Sequence, residues 1–180
     1  MLKSKKSSVG IFGGSFDPPH KGHVKISKIS LKELKLKKLI WIITKKNPFK
    51  NKSHFSLNKR IIQSKEAVKK LKNTKVLYLD KKIKSARIIH VVNYLSGVKK
   101  YKDLYLIIGS DNLLNFHKWT SWKKIAKIVK LVVFSRKGYD DKIKKAPVMK
   151  YLNKKIIFMR NKHINISSTQ IKRNILKNIK

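Results

Sequence analysis

Short, almost wholly apolar runs recur along the chain, and stretches with apolar residues at mixed three and four spacing separate them. Residues 9–13, 38–44, 76–79, 104–109, 131–135 and 155–158 read as strands. Residues 22–36, 56–71, 87–95, 112–116, 122–129 and 168–179 read as helices, with Ser167 or Ser168 capping the last. A strand that is apolar at every position must be covered on both faces, which is the condition of a parallel sheet with helices on each side. The expected fold is therefore α/β: a single-domain, doubly wound parallel sheet over residues 8–180, after a polar lead at residues 1–7. Such sheets bind ligands beyond the carboxyl ends of their strands, so chemically active motifs should each follow a strand.

Composition narrows the function classes. At 180 residues with 41% hydrophobic content the chain can bury a core without staples. It has no cysteine, which excludes disulfides, thiolate zinc sites and a cysteine nucleophile. The longest apolar runs, such as residues 39–43 and 131–134, are far short of the roughly 20 residues that a membrane span needs. No apolar segment follows the charged start, so a soluble cytoplasmic protein is expected. Lys+Arg is 47 and Asp+Glu 8, a net charge of +39. Only Arg60, Arg87, Arg136, Arg160 and Arg173 are arginine, and the lysines are spread over the whole chain. That is the pattern of a compositional bias filling solvent-facing positions rather than of a nucleic-acid reader, which leans on arginine. The field nevertheless attracts phosphates, and a basic nucleic-acid-binding protein is the alternative from another class.

Three segments carry chemistry. After the first strand comes Gly13-Gly14-Ser15-Phe16-Asp17-Pro18-Pro19-His20-Lys21-Gly22-His23. The glycines let the backbone turn and approach a ligand. With a helix starting near Gly22, His20 and His23 can both point to one spot above its N-terminus, where free N–H groups already favour an anion. Near the C-terminus, Ser167-Ser168-Thr169 at a helix start can cap the helix, donate to phosphate, or both, with Lys172 and Arg173 following. After the fourth strand come Gly109 and Asp111, then Trp119 and Trp122. Asp111 is one of eight acids. It reads either as a helix cap or as a partner for ribose hydroxyls or a nucleotide amine. The tryptophans read as core, or as a face on which a flat ring stacks.

The first segment resembles the HxGH signature of the nucleotidylyltransferase superfamily, with the glycine pair, phenylalanine, proline and both histidines in place. Ile166–Arg173 resembles the ISSTxIR segment of adenylyltransferases, with Lys172 where the family has arginine. The third segment, with Arg136 in the Arg-x-Gly turn after the fifth strand, is similar to bacterial nicotinate-nucleotide adenylyltransferases. So is Trp41 with Asn47-Pro48-Phe49-Lys50. The resemblance runs from about Val9 to Ile175 and implies a Rossmann-like nucleotidylyltransferase fold. It implies that His20 and His23 act on the triphosphate as catalytic residues. It also implies that Gly13, Gly14, Ser15, Phe16, Gly109, Asp111, Ser168, Thr169 and Lys172 bind ATP. Lys50, Arg87, Trp119 and Arg136 are then expected at the nicotinate nucleotide, Trp119 against its ring. A Tyr-Thr pair that offers backbone donors to the nicotinate carboxylate is missing. Ser85-Ala86-Arg87 stand there, and Arg87 is placed to pair with the carboxylate.

The activity implied is transfer of the adenylyl group of ATP to nicotinate mononucleotide in NAD biosynthesis, with Mg²⁺ accompanying ATP and no resident metal site. Nicotinamide mononucleotide is the alternative acceptor. The partners expected are these small molecules, with no specific nucleic acid and no membrane, and a homo-oligomer is compatible with the sequence.

Overall fold

The computed structural model describes residues 8–45, 53–136, 138–152 and 156–159. Six strands form one sheet: β1 (Ser8–Gly14), β2 (Lys38–Ile43), β3 (Thr74–Leu77), β4 (Asp103–Gly109), β5 (Lys130–Phe134) and β6 (Ile156–Met159). All the pairings are parallel, in the order β3-β2-β1-β4-β5-β6. The expected doubly wound parallel sheet is what the chain forms.

The apolar strands divide by pleat. In β2, Ile40 and Ile42 face one layer while Leu39, Trp41 and Ile43 face the other, all of them buried. Helices α1 (Lys21–Glu33) and α2 (Leu57–Val68) cover the second face. Helices α3 (Ile88–Asn93), α4 (Ser110–Leu114), α5 (Trp122–Ile128), α6 (Asp140–Lys144) and α7 (Pro147–Leu152) cover the first. A strand flanked by neighbours on both edges and helices on both faces has no solvent side, which is why β2 tolerates no polar residue after Lys38.

Several boundaries differ from the sequence reading. Strand β3 begins at Thr74 because Thr74 and Lys75 pair with Leu39 and Ile40, and Tyr78 and Leu79 lie past the ladder. Helix α3 runs on into a π-turn, Tyr94–Val98. Helices α6 and α7 are additions: they have five and six residues, and they exist because Ile143, Val148 and Leu152 reach the core. Trp41, matched from sequence with the loop after β2, is a fully buried mid-strand residue. The proposed helix at 168–179 lies outside the described residues.

The sheet reverses its winding between β1 and β4. Their carboxyl ends, Gly13-Gly14 and Gly109, lie side by side and open a crevice there.

Candidate active site

The loop from β1 to α1 is built around His20. This residue is the N-cap of α1, extended at φ −150 and ψ 170, and its Nδ1 accepts from Gly22 N at 3.1 Å. In return His20 N donates to His23 Nδ1 at 3.2 Å. Two histidines thus perform the reciprocal cap that Ser and Glu usually make. The consequence is chemical: an Nδ1 that accepts carries no proton, so each neutral ring holds its proton on Nε2. The rings lie 3.8 Å apart between centroids and are tilted by 34°, so two neighbouring Nε2–H donors stand at a helix N-terminus. Burial, and secondarily the nearby charge of Arg136, lower the His20 pKa to about 4, which keeps it neutral at pH 7.

An aromatic wedge fixes His23. Phe16, at φ 44, is buried and stacks on Trp41 with centroids 4.4 Å apart, and its ring lies 4.9 Å from that of His23. Trp41 Nε1 donates to Ser27 Oγ at 2.8 Å, and Ser27 Oγ donates to the carbonyl of His23 at 2.9 Å. The ring of Phe16 is therefore a support beside His23. The Asp17–Pro18 bond is cis. Asp17 is buried, and its carboxylate accepts from His54 N and Phe55 N at 2.8 and 2.9 Å.

The other wall comes from β4, α4 and the end of β5. A Cβ at Gly109 would sit 2.4 Å from Asp111 Oδ1, so the glycine leaves that carboxylate its position. Asp111 Oδ2 pairs with Arg136 Nη1, and Arg136 N donates to Ser110 Oγ at 3.0 Å. Asp111 Oδ1 is buried with no hydrogen-bond partner among the described residues, an acceptor aimed where a ligand hydroxyl or amine could satisfy it. Arg136 thus stands with Asp111 and His20, so the residue expected at the nicotinate nucleotide lies beside those expected at ATP.

Further along, Trp119 is half-buried against Phe116, and its Nε1 has no partner among the described residues. Trp122 packs between Phe116 and Tyr151 and is structural. Arg87 is exposed at the N-cap of α3, and the next residue, Ile88, lies 3.7 Å from where a Gly13 Cβ would be, so Arg87 borders the crevice. Lys50, Ser168, Thr169 and Lys172 lie outside the described residues. Sequence reasoning missed Arg60, which is 1% exposed and bonds to the carbonyl of Ser15. Its only signal was a basic residue on the inner face of a helix.

Among the described residues no group of three or more His, Asp or Glu side chains could hold a metal. None of their helices is long and apolar enough to cross a membrane.

A cytidylyltransferase-like family model matches residues 11–174. A protein of Pelagibacter ubique described as a "probable nicotinate-nucleotide adenylyltransferase" is 46% identical over 96% of both chains. The chain belongs to the nicotinate-nucleotide adenylyltransferase family. A member from Endomicrobium trichonymphae with the same description is 35% identical over 92% of this chain and 84% of its own. The fold agrees with that of the nicotinic acid mononucleotide adenylyltransferase of Plasmodium falciparum, solved in complex with APC. That structure has a TM-score of 0.71 at 16% identity, over 93% of this chain and 83% of that one. A second structure of the Plasmodium protein, complexed with NaAD, gives 0.69 at 18% identity over 96% and 89%.

Proposed function

We propose that the protein transfers the adenylyl group of ATP to nicotinate mononucleotide, releasing pyrophosphate and forming nicotinate adenine dinucleotide, as a cytoplasmic step of NAD biosynthesis. Family membership supports the reaction, and the observation that carries it is the pair of Nε2–H donors at the N-terminus of α1.

The 5′-phosphate oxygen of the mononucleotide attacks the α-phosphorus of ATP in line. A new P–O bond forms, the bond from the α-phosphorus to the bridging oxygen breaks, and the electron pair leaves with pyrophosphate. The attacking oxygen is ionised near neutral pH, so no side chain is needed as base or nucleophile. His20 and His23 donate to phosphate oxygens, and His23 stabilises the charge that grows at the α-phosphate. Both rings are held by backbone bonds and the aromatic wedge, so little reorganisation accompanies the reaction. Ser168, Thr169 and Lys172 complete the triphosphate grip from the C-terminal segment. Gly13, Gly14 and Ser15 bring backbone close to the nucleotide. Asp111 takes a ribose hydroxyl or an adenine amine on its free Oδ1. Trp119, Arg87, Arg136 and Lys50 serve the nicotinate nucleotide.

Mg²⁺ enters as part of the substrate, on the triphosphate, where it neutralises charge. The site fits that arrangement: Asp17 holds backbone amides and Asp111 Oδ2 holds Arg136, and among the described residues no group of three His, Asp or Glu side chains forms a cage for the ion.

The test is pyrophosphate release from ATP with nicotinate and nicotinamide mononucleotides side by side, in wild type and His23→Ala. The expected result is preference for the acid and a turnover loss in His23→Ala of about 100-fold or more, with little change in mononucleotide KM. A His23→Ala turnover within threefold of wild type removes the role given to that ring.

A further inference from the structure

Arg60 sits on α2, away from the crevice, yet it is the largest buried ionic group among the described residues, at 1% exposure. Nothing on its own helix accounts for it. Its guanidinium reaches into the loops: Nη1 donates to the carbonyls of Ser15 at 2.6 Å and Thr44 at 2.8 Å, Nη2 to that of Lys45 at 3.0 Å, and Nε to that of Phe55 at 3.2 Å. These four acceptors belong to three segments: the loop after β1, the exit of β2 and the entry to α2. None of them is in the sheet ladder, so each would otherwise need water.

Two carboxylates complete the cluster. Asp17 holds the amides of His54 and Phe55, and Asp80 Oδ2 accepts from Lys45 N at 3.0 Å. A buried guanidinium costs several kcal/mol in desolvation, and a methionine of similar reach would pack there at less cost. What the cation supplies instead is direction: a planar fork that fixes carbonyls from separate loops in one geometry.

The carbonyl of Ser15 leads to the reacting centre. Ser15 precedes Phe16, whose ring stacks on Trp41 and abuts His23. We propose that Arg60 is a positioning residue for adenylyl transfer, whose guanidinium holds the Ser15 carbonyl against the β2 exit and so sets Phe16 and His23. This rests on the adenylyl-transfer reading above for its kinetic consequence, and on geometry alone for its structural one. Arg60 is buried and its guanidinium nitrogens are engaged by loop carbonyls, so it is not placed as a substrate ligand. Its loss therefore falls on the alignment of His23 in the transition state, and so on kcat rather than on KM.

The test uses the full chain with Arg60→Lys and Arg60→Met. Kinetics with ATP and nicotinate mononucleotide are combined with ¹⁹F NMR of 5-fluorotryptophan-labelled protein, the Trp41 resonance being assigned through a Trp122→Phe variant and its Trp119→Phe counterpart. Arg60→Met is expected to lower kcat about 100-fold, the scale of an ångström misplacement, with both KM values within threefold and the Trp41 resonance shifted. Arg60→Lys keeps the charge without the fork and is expected to recover about a tenth of wild-type kcat, with a smaller shift. If Arg60→Met does not fold, Arg60→Lys decides by the same two readouts. An unmoved Trp41 resonance, wild-type kcat, or a loss confined to KM overturns the proposal. If wild type itself fails to turn over nicotinate mononucleotide, the functional reading falls. The Trp41 resonance of Arg60→Lys then decides the positioning role alone, moved for and unmoved against.

Discussion

Replacing His20 with Asn separates two jobs that one ring performs. As N-cap, His20 accepts from Gly22 N through Nδ1; toward solvent, it offers Nε2–H. Asn caps as well as any residue, whereas Ala does not cap at all. At pH 7, His20→Asn should keep stability within about 0.5 kcal/mol, and His20→Ala should lose about 1 kcal/mol, or roughly 2–4 °C in Tm for a chain this size. Both should lose about 100-fold or more in kcat, because Ala has no donor and the shorter Asn amide does not reach the position of Nε2. The pH axis gives a third reading. The folded pKa is lowered to about 4 from the ordinary 6.5, so between these values the unfolded chain binds a proton that the fold refuses. The stability from keeping the ring neutral is complete above pH 6.5 and is lost as pH falls toward 4. Unscreened, that gap is worth about 3 kcal/mol; the ring is partly open to solvent, which reduces it to roughly 1–2 kcal/mol. Urea titrations at pH 7 and pH 4 should therefore show wild type losing about 1–2 kcal/mol more than His20→Asn. An active Asn variant would refute the donor role, and one as unstable as Ala would refute the cap.

Gly109→Ala should leave the fold intact but displace the Asp111 carboxylate, which a Cβ would meet at 2.4 Å; the ATP KM should rise about tenfold, a change of about 1.4 kcal/mol. Ser27→Ala strips the buried indole N–H of Trp41 of its acceptor and should cost about 1–3 kcal/mol by urea denaturation. Asp17→Asn replaces one of the two carboxylate oxygens by an NH2 group, so one of the amides of His54 and Phe55 keeps its acceptor and the other faces a donor. It should cost a similar amount, and an unchanged denaturation midpoint would show that the clamp is dispensable.

The strands were legible because apolar runs such as Leu39–Ile43 need two covered faces, and the histidine cap because its loop follows a strand and precedes a helix. The order of the strands was not, since nothing in Ser8–Gly14 itself says that β2 and β4, rather than β3 or β5, flank it. Helices of five and six residues have no stability of their own, so nothing local announced Asp140–Lys144 or Pro147–Leu152; burial of Ile143 and Leu152 creates them. The one local sign of Arg60 was its place on the inner face of α2, and its carbonyl partners on other segments had none.

What the sequence determined alone is which residue types stand at which strand ends: the Gly13-Gly14 turn, the two imidazoles three apart, and Gly109 with Asp111. Spacing along a strand or a helix start is short-range geometry, fixed by backbone repeats. What only the tertiary structure decided is which of them meet. Arg136 paired with Asp111, and Arg60 bonded to Ser15, are contacts across 25 and 45 residues of chain, set by the packing of helices on a sheet whose order no local pattern encodes.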